Sequence, residues 1–120
     1  MKIAISAKGK DLDSKLDARF GRAVGFVIYD TDKSSFSVLD NVQNLEAAQG
    51  AGIQAAQSIV DQGVETLITG HCGPKAFKVL KSAGVKIYVS AEGTVRMAIG
   101  KYNNNELKEI DNADVDGHWM

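Results

Sequence analysis

The sequence predicts a single α/β domain, a five-stranded mixed sheet with helices on its faces in the order βββαβαβα. Three observations carry that expectation. Short apolar runs alternate with amphipathic stretches through the second half of the chain, the pattern of strand–helix–strand units with parallel pairing and right-handed crossovers. Two earlier apolar runs are separated only by Thr31-Asp32-Lys33-Ser34, a polar turn that implies an antiparallel hairpin at one edge. The length of 120 residues suits one domain with one core. No internal boundary, repeat or low-complexity stretch interrupts it.

The elements follow in order. Residues 2–6 read as a first strand, and residues 11–22 as a polar loop containing Asp17-Ala18-Arg19-Phe20-Gly21-Arg22. Residues 26–30 and 35–40 are strands two and three. The connection over residues 41–49 has no clear period, and loops of that length are often functional. Gly50-Ala51-Gly52 opens a helix over residues 53–62, with Ile53, Ala56, Ile59 and Val60 on one face. Gly63 closes it. Residues 64–69 are strand four. Pro74 starts a second helix, to residue 83, because proline suits the first helical position, where its missing amide would have no partner. Ala76, Phe77, Val79 and Leu80 face inward there, and Lys75, Lys78 and Lys81 outward. Residues 85–89 are strand five. A third helix runs over residues 94–102 on Val95, Ala98, Ile99 and Tyr102, and Asn103-Asn104-Asn105 breaks it. Residues 111–120 are an acidic tail, expected to be flexible and to end in His118-Trp119-Met120; residues 1–110 form the domain.

Composition removes several function classes from the expectation. The chain is 44% hydrophobic and 24% charged with a net charge of -1, so no global positive charge points to nucleic acid or an anionic membrane. No apolar run approaches the ~20 residues of a membrane span. The first residues are too short and strand-like a run for a signal peptide. A single cysteine allows no internal disulfide, which fits a reducing cytoplasm.

In open α/β sheets, ligands bind beyond the carboxyl ends of the parallel strands. Strand one ends at Ser6, strand four at Gly70-His71-Cys72, and the first helix begins at Gly50-Ala51-Gly52; the predicted topology brings these three places to one edge. Each has two readings. Gly50-Ala51-Gly52 is an anion cradle of backbone amides, or a tight turn. Cys72 is a thiolate ligand, or a small buried hydrophobe. His71 is a metal ligand, or a solvated imidazole. Arg19 and Arg22 are bidentate anion binders, or part of a polar loop. A closed zinc site would need further Cys or His residues at ligand spacing. The lysine stripe reads as the outer face of an amphipathic helix. No nucleotide-binding glycine signature is present. Acidic residues do not gather at the strand ends, as a two-metal nuclease requires, and no nucleophile–base order stands out, so the expectation is a protein that is not an enzyme. A hydrolase using Cys72 as nucleophile would lack a placed base.

Asp17-Ala18-Arg19-Phe20-Gly21-Arg22-Ala23, then Gly50-Ala51-Gly52-Ile53-Gln54-Ala55-Ala56, then Ile68-Thr69-Gly70 with Gly73-Pro74-Lys75-Ala76-Phe77, resemble the dinitrogenase iron–molybdenum cofactor biosynthesis family. The resemblance runs in order along nearly the whole chain. It is nearest to the short stand-alone members, those of sulfate-reducing bacteria included, down to the Asp116-Gly117-His118-Trp119-Met120 ending. It implies a ribonuclease H-like fold without nuclease activity. It also implies a carrier for an anionic metal–sulfur cluster, either of the iron–molybdenum type or a molybdenum–copper sulfide held without a covalent protein ligand. By position, Arg19, Phe20, Gly21 and Arg22 would line the approach, with Phe20 and Ile53 as an apolar shield. Gly50, Ala51 and Gly52 would offer amides, and Gly70, His71, Cys72, Gly73 and Pro74 the opposite wall. His71 and Cys72 are not dependable features of the family; they are candidate direct metal ligands that relatives lack. Gln49 stands where some members carry a histidine, which turns the reading away from histidine ligation through that loop. The implied partners are the cargo itself and cofactor-assembly proteins or P-loop ATPases. The expected state is a cytoplasmic monomer. An adaptor that docks on such partners is the competing reading.

Overall fold

The computed structural model describes residues 1–42, 50–89 and 91–112. Gln49 and the residues from 113 onward, His118-Trp119-Met120 included, lie outside the described residues, so the flexible tail is untested. The elements are β1 (Lys2–Ala7), β2 (Gly25–Asp30), β3 (Ser35–Asp40), α1 (Ala51–Asp61), β4 (Thr66–Ile68), α2 (Pro74–Ser82), β5 (Lys86–Val89), α3 (Val95–Asn103) and β6 (Lys108–Glu109). They form one mixed sheet in the order β3-β2-β1-β4-β5-β6. β1, β4 and β5 are parallel. β2 pairs antiparallel with β1, and β2 and β3 pair antiparallel with each other, as the short polar turn requires.

β1 is buried from Ile3 to Ala7 because helices cover both faces of the sheet at its centre. Its residues divide by parity. Ala4 joins Phe26, Ile28, Leu67 and Ile87 beneath α1 and α2, whereas Ile3 and Ile5 join Val27 and Ile68 beneath α3. α2 buries Ala76 and Leu80 and packs Phe77 and Val79 against that core, as predicted. α1 departs from the prediction. It buries Ala51, Ala55, Ala56 and Ile59, while Ile53 stays 39% exposed. The expected Ala56 and Ile59 are buried and Val60 packs against the core; Ala51 and Ala55 are the inward positions that the predicted pattern does not include.

The five-strand expectation is corrected to six. β6 is two exposed residues, Lys108 and Glu109, paired antiparallel with β5. It carries no hydrophobic signature. Ile110 anchors it: its amide donates to the Ile87 carbonyl at 3.0 Å and its side chain is buried. No helix among the described residues is long and apolar enough to cross a membrane.

Candidate functional site

The site begins where β1 and β4 stop. α1 leads into β4 and α2 leaves it, and both pack on the same face, so both helices start over the same sheet edge. α1 has Gly50 as its N-cap at φ +79°, a conformation that side chains disfavour. α2 has Gly73 as N-cap and Pro74 behind it. Neither start has a side-chain cap or an acidic residue in its first turn. α3, on the other face, shows the contrast: its Thr94 hydroxyl accepts the Met97 amide at 3.1 Å. The amides of Ala51, Gly52 and Ile53, and of Lys75 and Ala76, therefore have no acceptor within their helices. Such groups, with the helix dipole behind them, attract an anion.

Residues 17–22 cross this edge and lie against the turn after β4. The His71 amide donates to the Ala18 carbonyl at 2.7 Å, and the Phe20 amide donates to the His71 carbonyl at 3.4 Å. Arg19 thereby pairs with His71 as an isolated parallel bridge. The approach is so close that a Cβ on Gly70 would stand 2.6 Å from the Ala18 Cα. At the start of the loop, the Asp17 carboxylate accepts the Arg19 amide at 3.1 Å.

The site residues named from sequence divide by burial. Arg19 and Pro74 are exposed, and Arg22, Gly50, Gly52 and His71 are half-buried. Gly21, Ala51, Gly70 and Gly73 are buried backbone positions. Phe20 and Cys72 are different. Both are 0% exposed, in one core cluster with Ala55, Ala56 and Ala76. The Phe20 ring tilts against Phe26 at a centroid distance of 5.2 Å. Phe20 is thus the plug that fixes the loop to the core, and no surface of it lines the approach. Cys72 takes the small-hydrophobe reading. Among the described residues, no group of three or more His, Cys, Asp or Glu side chains is placed to hold a metal ion. What the edge offers is backbone amides, two arginines and one imidazole.

The side chains of three residues under the loop, Ser6, Thr69 and Asn41, have no role in the sequence-based reading. The Ser6 hydroxyl donates to the Asp17 carbonyl at 2.6 Å and lies 2.8 Å from the Thr69 hydroxyl. The Asn41 side-chain amide donates to the carbonyls of Ala23 at 2.8 Å and Gly21 at 3.4 Å. A signal existed, since Ser6 and Thr69 are the polar ends of apolar strand runs.

The family model for the dinitrogenase iron-molybdenum cofactor matches residues 1–105. The chain belongs to this family. Among solved structures it is similar to the apo form of the orange protein from Desulfovibrio gigas, at 37% identity and a TM-score of 0.92, covering 95% of this chain and 96% of that one. It is similar to a candidate NifB protein from Thermotoga solved by NMR, at 40% identity and a TM-score of 0.84, covering 97% and 98%. It is also 25% identical over 113 residues, 92% of each chain, to an uncharacterized protein of Methanocaldococcus jannaschii.

Proposed function

We propose that this family member is a non-enzymatic carrier of an anionic metal–sulfur cluster containing molybdenum, either a molybdenum–copper sulfide or an iron–molybdenum cofactor precursor. The observation that carries the reading is the pairing of two uncapped helix starts with an arginine loop at one sheet edge. A metal–sulfide cluster is a bulky polyanion with soft sulfur acceptors. Helix-end amides at Ala51–Ile53 and Lys75–Ala76, with the guanidinium groups of Arg19 and Arg22, match it by charge and by hydrogen bonding. His71 is the candidate direct ligand at the rim, and Cys72 would have to leave the core to serve. Non-covalent holding suits a carrier that releases its load. The similarity to the orange protein supports this cargo class. A ribonuclease H-like fold, without the nuclease carboxylates, belongs to the same reading, and Ile110 packing into the core supports a domain of residues 1–110.

The test is an anaerobic amide-by-amide NMR titration of the protein with tetrathiomolybdate and copper. Saturable shifts confined to residues 19–22, 50–53 and 70–76 are the expected result; scattered or absent shifts remove this cargo.

One observation favours the adaptor reading. A groove of about 430 Å³ runs between α1 and α2, lined by Gln57, Val60, Lys78, Val79, Ser82 and Ala83. A partner such as a P-loop ATPase docking there would be spared by Arg19→Ala with Arg22→Ala, whereas cluster retention would be lost.

A further inference from the structure

A buried polar side chain is costly unless hydrogen-bonded, so the destination of its bonds is informative. Four such side chains are buried among the described residues: Ser6, Asn41, Thr66 and Thr69. Three of the four serve one loop. Thr66 is the exception, bonding the Met1 sulfur at the far end of β4.

The geometry follows from strand parity. Ile5 pairs with Ile68, so the next residues, Ser6 and Thr69, sit side by side on the face of α1 and α2. Ser6 has one hydroxyl proton and gives it to the Asp17 carbonyl. The proton between the two hydroxyls is therefore Thr69's, and the chain runs from Thr69 to Ser6 to Asp17. The Asp17 amide returns to the Ser6 carbonyl at 2.9 Å. From the other side, Asn41 holds the carbonyls of Gly21 and Ala23. The ties land on the backbone before Arg19, between the two arginines, and just after Arg22.

The acceptors of these ties are carbonyls of the loop, so removing a donor takes a partner from the loop backbone and not from a strand. What the hydroxyls and the amide add is a fixed place for the arginine backbone. We propose that Ser6, Thr69 and Asn41 are positioning residues of the cargo site: they touch no cargo, and they hold residues 17–23 so that Arg19 and Arg22 are presented already ordered. Ordering the loop in advance removes that entropy cost from binding. The inference rests on the carrier reading for its cargo, but its loop half can be tested without any.

The experiment compares wild type with Ser6→Ala/Thr69→Val, and separately with Asn41→Ala in case the double variant folds poorly. Amide hydrogen exchange of the ligand-free proteins is read first. In the double variant the Asp17, Phe20 and His71 amides should exchange about tenfold faster or more, while Ile3 to Ile5 in β1 keep their rates within about twofold. Asn41→Ala should do the same to the Ala23 amide, which donates to the Phe20 carbonyl. The dissociation constant for tetrathiomolybdate with copper should rise about tenfold or more in both. Unchanged loop exchange overturns the proposal. So does uniform acceleration across loop and sheet, which marks the groups as fold-wide stabilisers. A loosened loop with unaltered affinity overturns the positioning role. Wild-type protein that takes up no tetrathiomolybdate sinks the carrier reading and the cargo half with it, and the exchange pattern still decides the loop half.

Discussion

Gly70 and Ala18 approach each other so closely that no side chain fits between them. A Cβ on Gly70 would lie 2.6 Å from the Ala18 Cα and 2.7 Å from the Ala18 carbonyl oxygen. Both obstacles are backbone, so they cannot turn aside as the end of a flexible side chain could. The same approach makes the 2.7 Å bond from the His71 amide to the Ala18 carbonyl.

Gly70→Ala should therefore push the arginine loop off the turn after β4. The expected result is loss of cluster uptake and of protection at the His71 amide, with a stability cost of about 1–3 kcal/mol, the range for an overpacked buried position. Urea denaturation and amide exchange check it. A variant with wild-type protection at His71 would show that the contact is slack.

Arg19 and Phe20 are neighbours with opposite duties. Phe20→Ala should cost about 3–5 kcal/mol, as expected for a fully buried aromatic. Arg19→Ala, at an exposed position, should move stability by no more than about 0.5 kcal/mol and yet weaken cargo binding. Denaturation midpoints for the pair, set beside binding isotherms, decide the matter; equal stability losses would contradict the placement.

Cys72 should behave as core. Its thiol should resist aqueous alkylating reagents in the native state and react once the protein is denatured, because it has no exposed surface. Cys72→Ala should cost about 1 kcal/mol of packing and leave cluster retention intact. Retention lost in Cys72→Ala and kept in His71→Ala would instead make the cysteine the ligand.

The N-terminal ammonium makes a 2.9 Å ion pair with Asp32, at the turn of the hairpin. The Asp32 carboxylate, first through its hydrogen bond and then through its charge, holds the amine's pKa above the usual 8.0, against the opposing effect of desolvation. A folded-state pKa raised above the unfolded value gives a contribution that is fully present below the unfolded value. It is lost as pH rises through the folded one. The wild-type advantage over Asp32→Asn should accordingly fade as pH rises from about 7 through the amine's raised pKa. It should be small and screened by salt, because the pair is at the surface. Thermal midpoints across that window test the sign; an advantage that grows with pH would refute the assignment.

Local sequence rules dictate the layout of the domain. Apolar runs spaced by amphipathic helices dictate parallel crossovers, the four-residue polar turn dictates the hairpin, and Pro74 marks the start of α2, because each is a local rule written in adjacent residues. They also mark the edge where Gly50, Gly70 and Gly73 gather, since glycine and proline leave their backbone demands in plain view. Tertiary structure alone decided the rest. β6 exists because Ile110 finds the core, not because Lys108 and Glu109 favour a strand. Ala51 and Ala55 join the expected Ala56 on the inner side of α1 while Ile53 stays out, because the close approach of α1 to α2 selects for smallness as well as for hydrophobicity. Phe20 and Cys72, which sit in sequence among the site's arginines and glycines, are turned into the core. Ser6 and Thr69, far apart in the chain, meet under the loop, and Asn41 holds it from the other side. Burial and long-range hydrogen bonding depend on which strands become neighbours, and a linear pattern does not carry that distance information.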